Sequence, residues 1–245
     1  MVAPVRGRTE CVEVALQADV ATTGCMPKVL VHNFSISLDG FGTGEPQTED
    51  APFGHAGQRL HQWMFATRFW SEMTGDGQSG ETGIDNDFAK RYDEGVGAEI
   101  MGRRKFGWQQ GPWTDLGAED EWQGWWGDNP PFHTPVFVLT HHPRPSIEKE
   151  GGTIFHFIDA TPEEALAQAR EAAGERDVRI GGGPTVVRDF LAAGLIDVAH
   201  IVQVPIVLGR GVRLWDGLEA LEDQYEIEAT PSPSGVTHLM LTRRA

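Results

Sequence analysis

The sequence predicts an α/β fold with a mixed sheet that is mostly parallel and ends in antiparallel strands. Apolar, β-branched runs of strand length alternate along the chain with segments of helical periodicity. Two of the predicted strands lead through glycine into the start of a helix, at Gly102 and at Gly181–Gly183. The last two strand-like runs follow each other without a helix between them, which favours an antiparallel pair at this end of the chain.

The predicted strands are short, apolar and bounded by turn residues. They are Lys28–Leu38, Ala98–Met101, Val136–Thr140, Thr153–Ile158, Asp177–Ile180, Ile196–Leu208, Gln224–Ala229 and Val236–Thr242. The first is followed by the turn Asp39–Gly40, and its apolar composition predicts a central position in the sheet. We expect the long run Ile196–Leu208 to bend at Pro205.

The predicted helices follow the apolar spacing of the remaining segments. They are Gln58–Thr67, Asn86–Glu94, Thr161–Ala173 and Pro184–Ala193, with one helical turn at Arg103–Phe106. The signals are clearest around the third helix, where Thr161 is expected to be the N-cap residue, Pro162 lies in the first turn and Gly174 ends the helix. Two glutamates in its first turn favour the positive end of the helix dipole.

The composition is that of a globular chain and excludes several classes of partner. The 245 residues are 40% hydrophobic and 23% charged, which suffices for one large domain or two small ones. A formal net charge of −16 argues against binding to nucleic acid or to an anionic membrane. No run of about 18 apolar residues is present, so no transmembrane helix is predicted and a cytoplasmic protein is expected.

The first 26 residues differ from the rest of the chain. They contain both cysteines, Cys11 and Cys25, so no disulfide or cysteine metal site is predicted elsewhere. They show neither clear periodicity nor the apolar core of a secretory signal, and Met26 stands just before the first strand. We expect residues 1–26 to be a disordered extension ahead of a natural start at Met26, and residues 27–245 to form a single domain.

The two glycine-containing corners are the strongest functional signal. At Gly181–Gly183 three glycines remove every Cβ from the turn, and Pro184 suits the first position of the helix that follows. Free N–H groups and the helix dipole favour a phosphate there. Gly102 is followed by Arg103 and Arg104, two cations at a helix start where they oppose the dipole. Together the corners predict a ligand with several phosphates; the alternative is two ordinary helix ends and a surface ion pair.

The segment Gly107–Pro135 contains five of the eight tryptophans among glycine, proline and acidic residues. It has neither helical nor strand periodicity, and it is too long and too aromatic for a passive connection. We favour an irregular cover packed by its own tryptophans. The alternative is a lid or a ring-stacking wall of a pocket, and both can hold at once.

No metal site is predicted. The neighbouring pair His141–His142 follows a predicted strand but has no accompanying cluster of histidine, cysteine or acidic ligands. Hydrogen bonding or stacking with an adenosine phosphate is a more natural role for this pair, and solvated loop histidines are the other alternative.

Five motifs occur in a characteristic order. They are Ser35–Gly40, Ile100–Phe106, Val138–Thr140, Ile180–Gly183, and Gly194–Asp197 leading into Val204–Gly211. In combination they resemble the dihydrofolate reductase-like superfamily, and specifically the RibD C-terminal domain, the reductase part of the bifunctional riboflavin-biosynthesis deaminase/reductase. The resemblance covers about Pro27 to Arg243.

The resemblance implies a dihydrofolate reductase-like central mixed sheet of about eight strands flanked by helices, with NADPH across the carboxyl ends of the strands. It implies that Gly181–Gly183 contact the pyrophosphate and that Gly102 and Arg103 approach the same phosphates. It places Arg104 and Thr140 toward the adenosine 2′-phosphate. A guanidinium in that position would select NADP over NAD, because it matches a phosphate with two hydrogen bonds.

The resemblance also suggests catalytic carboxylates. It places the nicotinamide near Ser37–Asp39, and it makes Asp87, or alternatively Asp85, the counterpart of the acidic residue that binds the pterin in dihydrofolate reductases. We therefore expect Asp39 and Asp87 to be the catalytic residues. Alternatively, Asp39 only shapes its turn, Asp85 only caps a helix, and Asp87 faces either solvent or the cleft.

The function implied is an NADPH-dependent reductase, either 5-amino-6-(5-phosphoribosylamino)uracil reductase-like or dihydrofolate reductase-like. Its small-molecule substrate would be a conjugated heterocycle or carbonyl compound, pteridine-like or ribosylaminopyrimidine phosphate-like. The zinc signature of the deaminase is absent from the sequence, so only the reduction step of riboflavin biosynthesis is implied. A homodimer is implied as well. The alternatives are a non-catalytic NADP(H)-binding sensor or interaction protein on the same scaffold, and a sugar-phosphate binder that uses the glycine turn alone.

Overall fold

The computed structural model describes residues 27–75, 77–92, 94–113 and 122–244. Its strands are β1 (Val29–Ser37), β2 (Phe41–Thr43), β3 (Val96–Gly102), β4 (Pro135–Leu139), β5 (Ile147–Glu148), β6 (Ile154–Ile158), β7 (Asp177–Gly182), β8 (Val198–Val204), β9 (Val212–Arg213), β10 (Tyr225–Pro231) and β11 (Thr237–Arg243). Its α-helices are α1 (Gln62–Phe65), α2 (Arg68–Thr74), α3 (Ile84–Ala89), α4 (Arg103–Phe106), α5 (Pro162–Ala173) and α6 (Pro184–Ala192). The expected N-terminal extension and its boundary at Met26 lie outside the described residues.

Nine strands form one sheet in the order β10-β11-β8-β1-β7-β3-β4-β6-β5. The six strands from β8 to β6 run parallel. Strand β11 is antiparallel to β8, and the outer strands β10 and β5 are antiparallel to their neighbours. The predicted fold class, mostly parallel with antiparallel C-terminal strands, is confirmed. The strand of this sheet that was not predicted is β5, whose two residues are too few for a pattern to be recognised. The short strands β2 and β9, which pair in a separate two-stranded sheet, were not predicted either.

The main core joins the centre of the sheet to helices α5 and α6. Buried side chains of three neighbouring strands, among them Val31, Ile180 and Ile201, belong to one apolar cluster with Leu166 of α5 and Phe190 of α6. Burial of this kind stabilises the sheet and fixes the position of its carboxyl edge, where α6 begins.

Helix α5 has the ends that the sequence predicts. The Thr161 hydroxyl accepts a hydrogen bond from the Glu164 N–H at 3.3 Å, and the Thr161 N–H donates to the Glu164 carboxylate at 2.9 Å. This capping box satisfies two N–H groups that would otherwise lack a partner. Gly174 follows the helix with φ 64°, so the predicted start and end are both confirmed.

The region predicted as one helix, Gln58–Thr67, is instead broken. A 3₁₀ segment at Gly54–Leu60 precedes the short helices α1 and α2. Gly57, just before the predicted start, has φ 54°. Within the predicted range Thr67 has an extended backbone (φ −80°, ψ 155°), and its side chain accepts from the Trp70 N–H at 3.2 Å to begin α2. A residue pattern with period 3.6 does not reveal such breaks.

Asp85 is not the N-cap residue that the sequence predicts. Helix α3 begins at Ile84 after Gly83, two residues earlier than expected. The Asp85 carboxylate instead accepts a hydrogen bond from His238 Nε2 of β11 at 2.8 Å. A tertiary contact therefore replaces the local capping role.

Strand β8 ends at Val204, before Pro205, so the run Ile196–Leu208 is not one continuous strand.

Strand β1 separates from β7 after Leu30, the second of the nine residues of β1. The two strands pair only at Val29 with Val178 and Leu30 with Arg179, whereas β1 pairs with β8 as far as Ser37 with Val204. The register shifts between Val31 and Phe34. Beyond Leu30 the ladder between β1 and β7 is therefore lost, and the sheet opens at its carboxyl edge.

No helix among the described residues has the length and apolar composition of a membrane span.

Candidate functional site

A cavity of about 960 Å³ lies at this opening of the sheet. Six of the seven residues predicted to bind the cofactor line it: Gly102, Arg103, Arg104, Thr140, Gly181 and Gly183. The seventh, Gly182, lies within the same turn and faces the ring of Phe34 instead. The structure thus brings together, at one cavity, residues that are up to 81 positions apart in the chain.

The two glycine-containing corners lie side by side because β3 and β7 are neighbouring parallel strands. A Cβ at Gly102 would lie 2.9 Å from Val186 Cγ2 and 3.8 Å from the Gly183 nitrogen. Any larger residue at position 102 would therefore push helix α6 away. The close approach of the corners depends on the absence of a side chain there.

The glycine turn has a different constraint at each position. A Cβ at Gly181 would collide with the Glu99 carboxylate and with Lys105 Nζ. Gly182 has φ 110°, a conformation that favours glycine. At Gly183 no described atom lies within 4 Å of the place that a Cβ would take, so this position faces the open cavity. Helix α6 starts here, and the first N–H groups of a helix lack intrahelical partners.

Arg103 provides a cation at the second corner. Its guanidinium carbon lies 3.7 Å from the centre of the Trp113 ring, and Arg144 lies 4.1 Å from the same ring. Arg103 Nε and Nη2 are buried and have no hydrogen-bond partner within the described ranges. Burial and the charge of Arg144 lower the pKa of Arg103. Arg103 and the exposed Arg104 both line the cavity, and guanidinium groups favour an anion there; Trp113 and Arg144 are not among the described residues that line it.

An ion pair beneath the turn was not identified from the sequence. Lys105 Nζ lies 2.8 Å from Glu99 Oε1, and the Arg179 guanidinium donates to the other carboxylate oxygen. Burial raises the pKa of Glu99, but the charges of Arg179 and Lys105 outweigh it and hold that pKa below its usual value. Glu99 therefore stays ionised. A charged residue in the otherwise apolar strand Ala98–Met101 was the available signal.

Strand β4 ends at the same cavity. The Thr140 hydroxyl accepts from the His142 N–H at 3.1 Å, and His141 Nδ1 lies 3.0 Å from Asp159 Oδ1. All four residues line the cavity. Among the described residues no group of three or more histidine, cysteine and acidic side chains could hold a metal ion.

Asp39 and Asp87 lie outside the set of described residues that line the cavity. The Asp39 carboxylate accepts hydrogen bonds from Ser37 Oγ at 2.6 Å, Leu208 N at 3.0 Å and Gly209 N at 2.7 Å. Burial opposes its ionisation, but these hydrogen bonds hold the pKa of Asp39 at about 2. Asp87 is exposed on α3. This geometry matches the alternative in which Asp39 shapes its turn.

The part of β1 that faces the cavity is His32–Ser35, not Ser37–Asp39. His32 and His61 both line the cavity and were not identified from the sequence. Each has a buried Nδ1 without a hydrogen-bond partner in the described part of the chain. Burial and nearby positive charge, from Arg179 at His32 and from Lys105 at His61, lower the pKa of each to about 4. Both imidazoles are therefore neutral at pH 7.

The tryptophan-rich segment combines the two interpretations that the sequence left open. Within its described part, Trp113, Trp122 and Trp126 pack against the apolar cluster around Phe106. Trp122 Nε1 also donates to the Phe106 carbonyl at 2.9 Å. Trp126 lines the cavity as well, and so does Trp125. The segment is therefore both a packed cover and one wall of the cavity; its residues 114–121 lie outside the described ranges.

The model of the RibD C-terminal domain family matches residues 27–233. A solved structure of a protein assigned to riboflavin biosynthesis from Shewanella sp. PV-4 is 20% identical over 90% of this chain and 100% of its own, with a TM-score of 0.52. The diaminohydroxyphosphoribosylaminopyrimidine deaminase/5-amino-6-(5-phosphoribosylamino)uracil reductase of Thermotoga maritima is 12% identical over 89% of this chain and 57% of its own, with a TM-score of 0.48.

A dihydrofolate reductase from Enterococcus faecalis, solved with NADP(H) and RAB-propyl, is 18% identical over 68% of this chain and 86% of its own, with a TM-score of 0.40. The Shewanella structure, with its TM-score of 0.52, shows that the two proteins share a fold. No curated protein matches the sequence.

Proposed function

This chain belongs to the RibD C-terminal domain family, and we propose that it is an NADPH-dependent reductase. It would transfer hydride to a small conjugated heterocyclic or carbonyl substrate. The observation that supports this most strongly is the contact between the two corners at one cavity, where Arg103 carries buried guanidinium nitrogens without a partner among the described residues. A buried cation of this kind favours an anionic ligand, because it is costly to leave unpaired.

The cavity suits the phosphates of a dinucleotide. The open space at Gly183 and the start of α6 would receive the pyrophosphate, and Gly102 and Arg103 would approach it from the neighbouring corner. We place the adenosine 2′-phosphate toward Arg104 and Thr140, which line the same end of the cavity. Arg104 would then distinguish NADPH from NADH.

The opening between β1 and β7 suits the nicotinamide. When bound, NADPH supplies a hydride to the carbon of a C=N or C=O group. The residues His32–Ser35 on one side and the glycine turn on the other would hold the reacting ring, and such positioning supplies much of the rate acceleration. We assign no catalytic role to Asp39 or Asp87, because both lie outside the described residues that line the cavity.

The proposal is tested by thermal denaturation with NADPH, followed by a screen of NADPH oxidation against dihydrofolate, pterins, flavins and the riboflavin-pathway pyrimidine. A ligand present at about 100 times its Kd stabilises by about 2.7 kcal/mol, which a thermal scan detects easily. Absence of any shift contradicts the proposal. A shift without oxidation of NADPH by any of these compounds favours the non-catalytic sensor instead. The expected homodimer and cytoplasmic location stay predictions.

A further inference from the structure

One wall of the cavity differs from the rest in chemistry. It follows the 3₁₀ segment Gly54–Leu60 and includes helices α1 and α2. Its members line the cavity and are mainly aromatic or thioether side chains; we call them the ring wall, defined as His61, Met64, Phe65, Phe69, Trp70 and Met73. Such side chains offer flat, polarisable surfaces to a planar ligand.

The cations of the cavity are concentrated elsewhere. Among the described lining residues, the lysine and arginine side chains are Arg103, Arg104 and Lys105, all on α4. Lys105 is already paired with Glu99 at 2.8 Å. The charged residues of α2, Arg68 and Glu72, are not part of the lining.

A phosphoryl group against the ring wall would therefore lose water, and the lining cation near His61, Lys105, is already paired with Glu99. An ionised group that is buried without a partner costs several kcal/mol. The wall thus disfavours a charged ligand.

His61 supplies the polar contact within this wall. Its ring centre lies 4.6 Å from that of Phe53 and 6.1 Å from that of Phe65, to which it is stacked at 26°. Its buried Nδ1 has no hydrogen-bond partner among the described residues. A neutral imidazole in this setting can donate or accept one hydrogen bond, according to its tautomer.

We propose that the substrate is an uncharged, planar ring compound without a phosphate, which stacks on the ring wall and forms a hydrogen bond with the imidazole of His61. The inference rests on the proposed function and separates its two substrate classes: it favours the pteridine-like or carbonyl ring over a ribosylaminopyrimidine phosphate. In the reaction, the carbon of a C=N or C=O bond gains a hydride from NADPH, its heteroatom gains a proton from water, and NADP⁺ is formed.

The test compares neutral and anionic ligands that share one ring system. Riboflavin is compared with flavin mononucleotide, and 1,2-naphthoquinone with its 4-sulfonate, by calorimetric titration of the protein saturated with NADP⁺. We expect at least one neutral member to have a Kd about tenfold or more below that of its anionic partner, a difference of about 1.4 kcal/mol in binding free energy. Equal or tighter binding of the anionic members overturns the inference, and so does failure of both neutral rings to bind.

Two pairs of variants localise the effect. Replacement His61→Phe should weaken binding of the neutral ring about fivefold, the effect of one lost hydrogen bond, while His61→Asn should keep most of the affinity because its amide can form a hydrogen bond in place of the imidazole. Met73→Lys adds a cation to the wall and should strengthen flavin mononucleotide binding, whereas Met73→Leu should keep the preference for the neutral ring. Equal effects of the two His61 variants, or of the two Met73 variants, contradict the proposal that the substrate ring binds at the ring wall.

Stabilisation by NADP⁺ is measured first for wild-type protein and for each variant. If wild-type protein shows no stabilisation, the proposed function itself fails. If NADP⁺ stabilises the protein and the charged and neutral rings bind equally, only the inference about the substrate fails.

Discussion

The carboxylate of Glu99 lies directly beneath Gly181, in the place that any side chain at position 181 would take. The same carboxylate is bound by Lys105 and Arg179, so the glycine turn rests on a buried network of one anion and two cations. Position 181 therefore requires glycine, because this network fills the space that a side chain would need.

Replacement of Gly181 by alanine should therefore destabilise the fold. The new Cβ would separate Lys105 from Glu99 or displace the strand, and overpacking of this kind costs about 1–3 kcal/mol. The free energy of unfolding from urea titration is the measurement. Gly183→Ala is the matched control, since its Cβ would enter open space and should change stability by less than about 0.5 kcal/mol. Equal stability of the two variants would mean that the network does not constrain the turn.

Arg104→Ala should weaken NADPH binding more than NADH binding. A charge-assisted hydrogen bond to a phosphate contributes about 1.5–3 kcal/mol, so the Kd for NADPH should rise about tenfold or more. Calorimetric titration of both cofactors gives the comparison. Arg103→Ala serves as the control, because it should weaken both cofactors. An equal loss for NADPH and NADH in the Arg104 variant would remove Arg104 from the 2′-phosphate.

Asp39→Asn should lower stability and leave hydride transfer in place. The carboxylate holds the Leu208 and Gly209 N–H groups, and loss of hydrogen bonds to a charged group costs about 1.5–3 kcal/mol. Urea titration and the rate of NADPH oxidation are measured on the same preparation. A variant of normal stability with abolished oxidation would instead support the catalytic role that the sequence suggests for Asp39.

Stability should fall on acidification before the carboxylates titrate. The folded pKa values of His32 and His61 are about 4, below the ordinary histidine value of 6.5, so the unfolded chain binds protons that the native protein does not. This contribution to stability is complete above pH 6.5 and is lost as the pH falls toward 4, on the order of 3 kcal/mol per histidine. Burial also lowers the pKa values of His200 and His238, so these two residues also contribute to the loss of stability below pH 6.5.

Unfolding free energies between pH 7 and pH 4 test this expectation, and His61→Asn isolates one contribution. The variant should show a shallower dependence on pH than wild-type protein over this range. The contribution of Asp39, whose pKa is lowered to about 2, should be lost only as the pH falls from the ordinary aspartate pKa of 3.8 to about 2. Parallel pH curves for the variant and wild-type protein would show that His61 is not buried in the neutral form.

The parts of the site that the sequence predicted are those set by neighbouring residues. Glycine and Pro184 define the start of α6, and the Thr161 capping signal defines α5, because turn and cap preferences act over a few positions. The parallel order of the sheet followed from the alternation of strands and helices.

The parts that the sequence did not predict depend on distant partners. Glu99 and Arg179 are 80 positions apart, and Asp85 meets His238 across 153 positions. Which strands separate, and which face of a broken helix presents His61 to the cavity, are set by register and packing in three dimensions. Periodicity along the chain contains no information about either.

The most direct test of the account is the affinity of the Gly183→Val variant for NADPH, measured by calorimetric titration beside wild-type protein. The valine side chain would project into open cavity rather than into packed atoms, so the variant should unfold at the wild-type temperature. We predict a Kd for NADPH raised by about tenfold or more, because the pyrophosphate and the new side chain would compete for one space. An unchanged Kd, or wild-type protein that does not bind NADPH, would contradict the phosphate-binding role of the two corners.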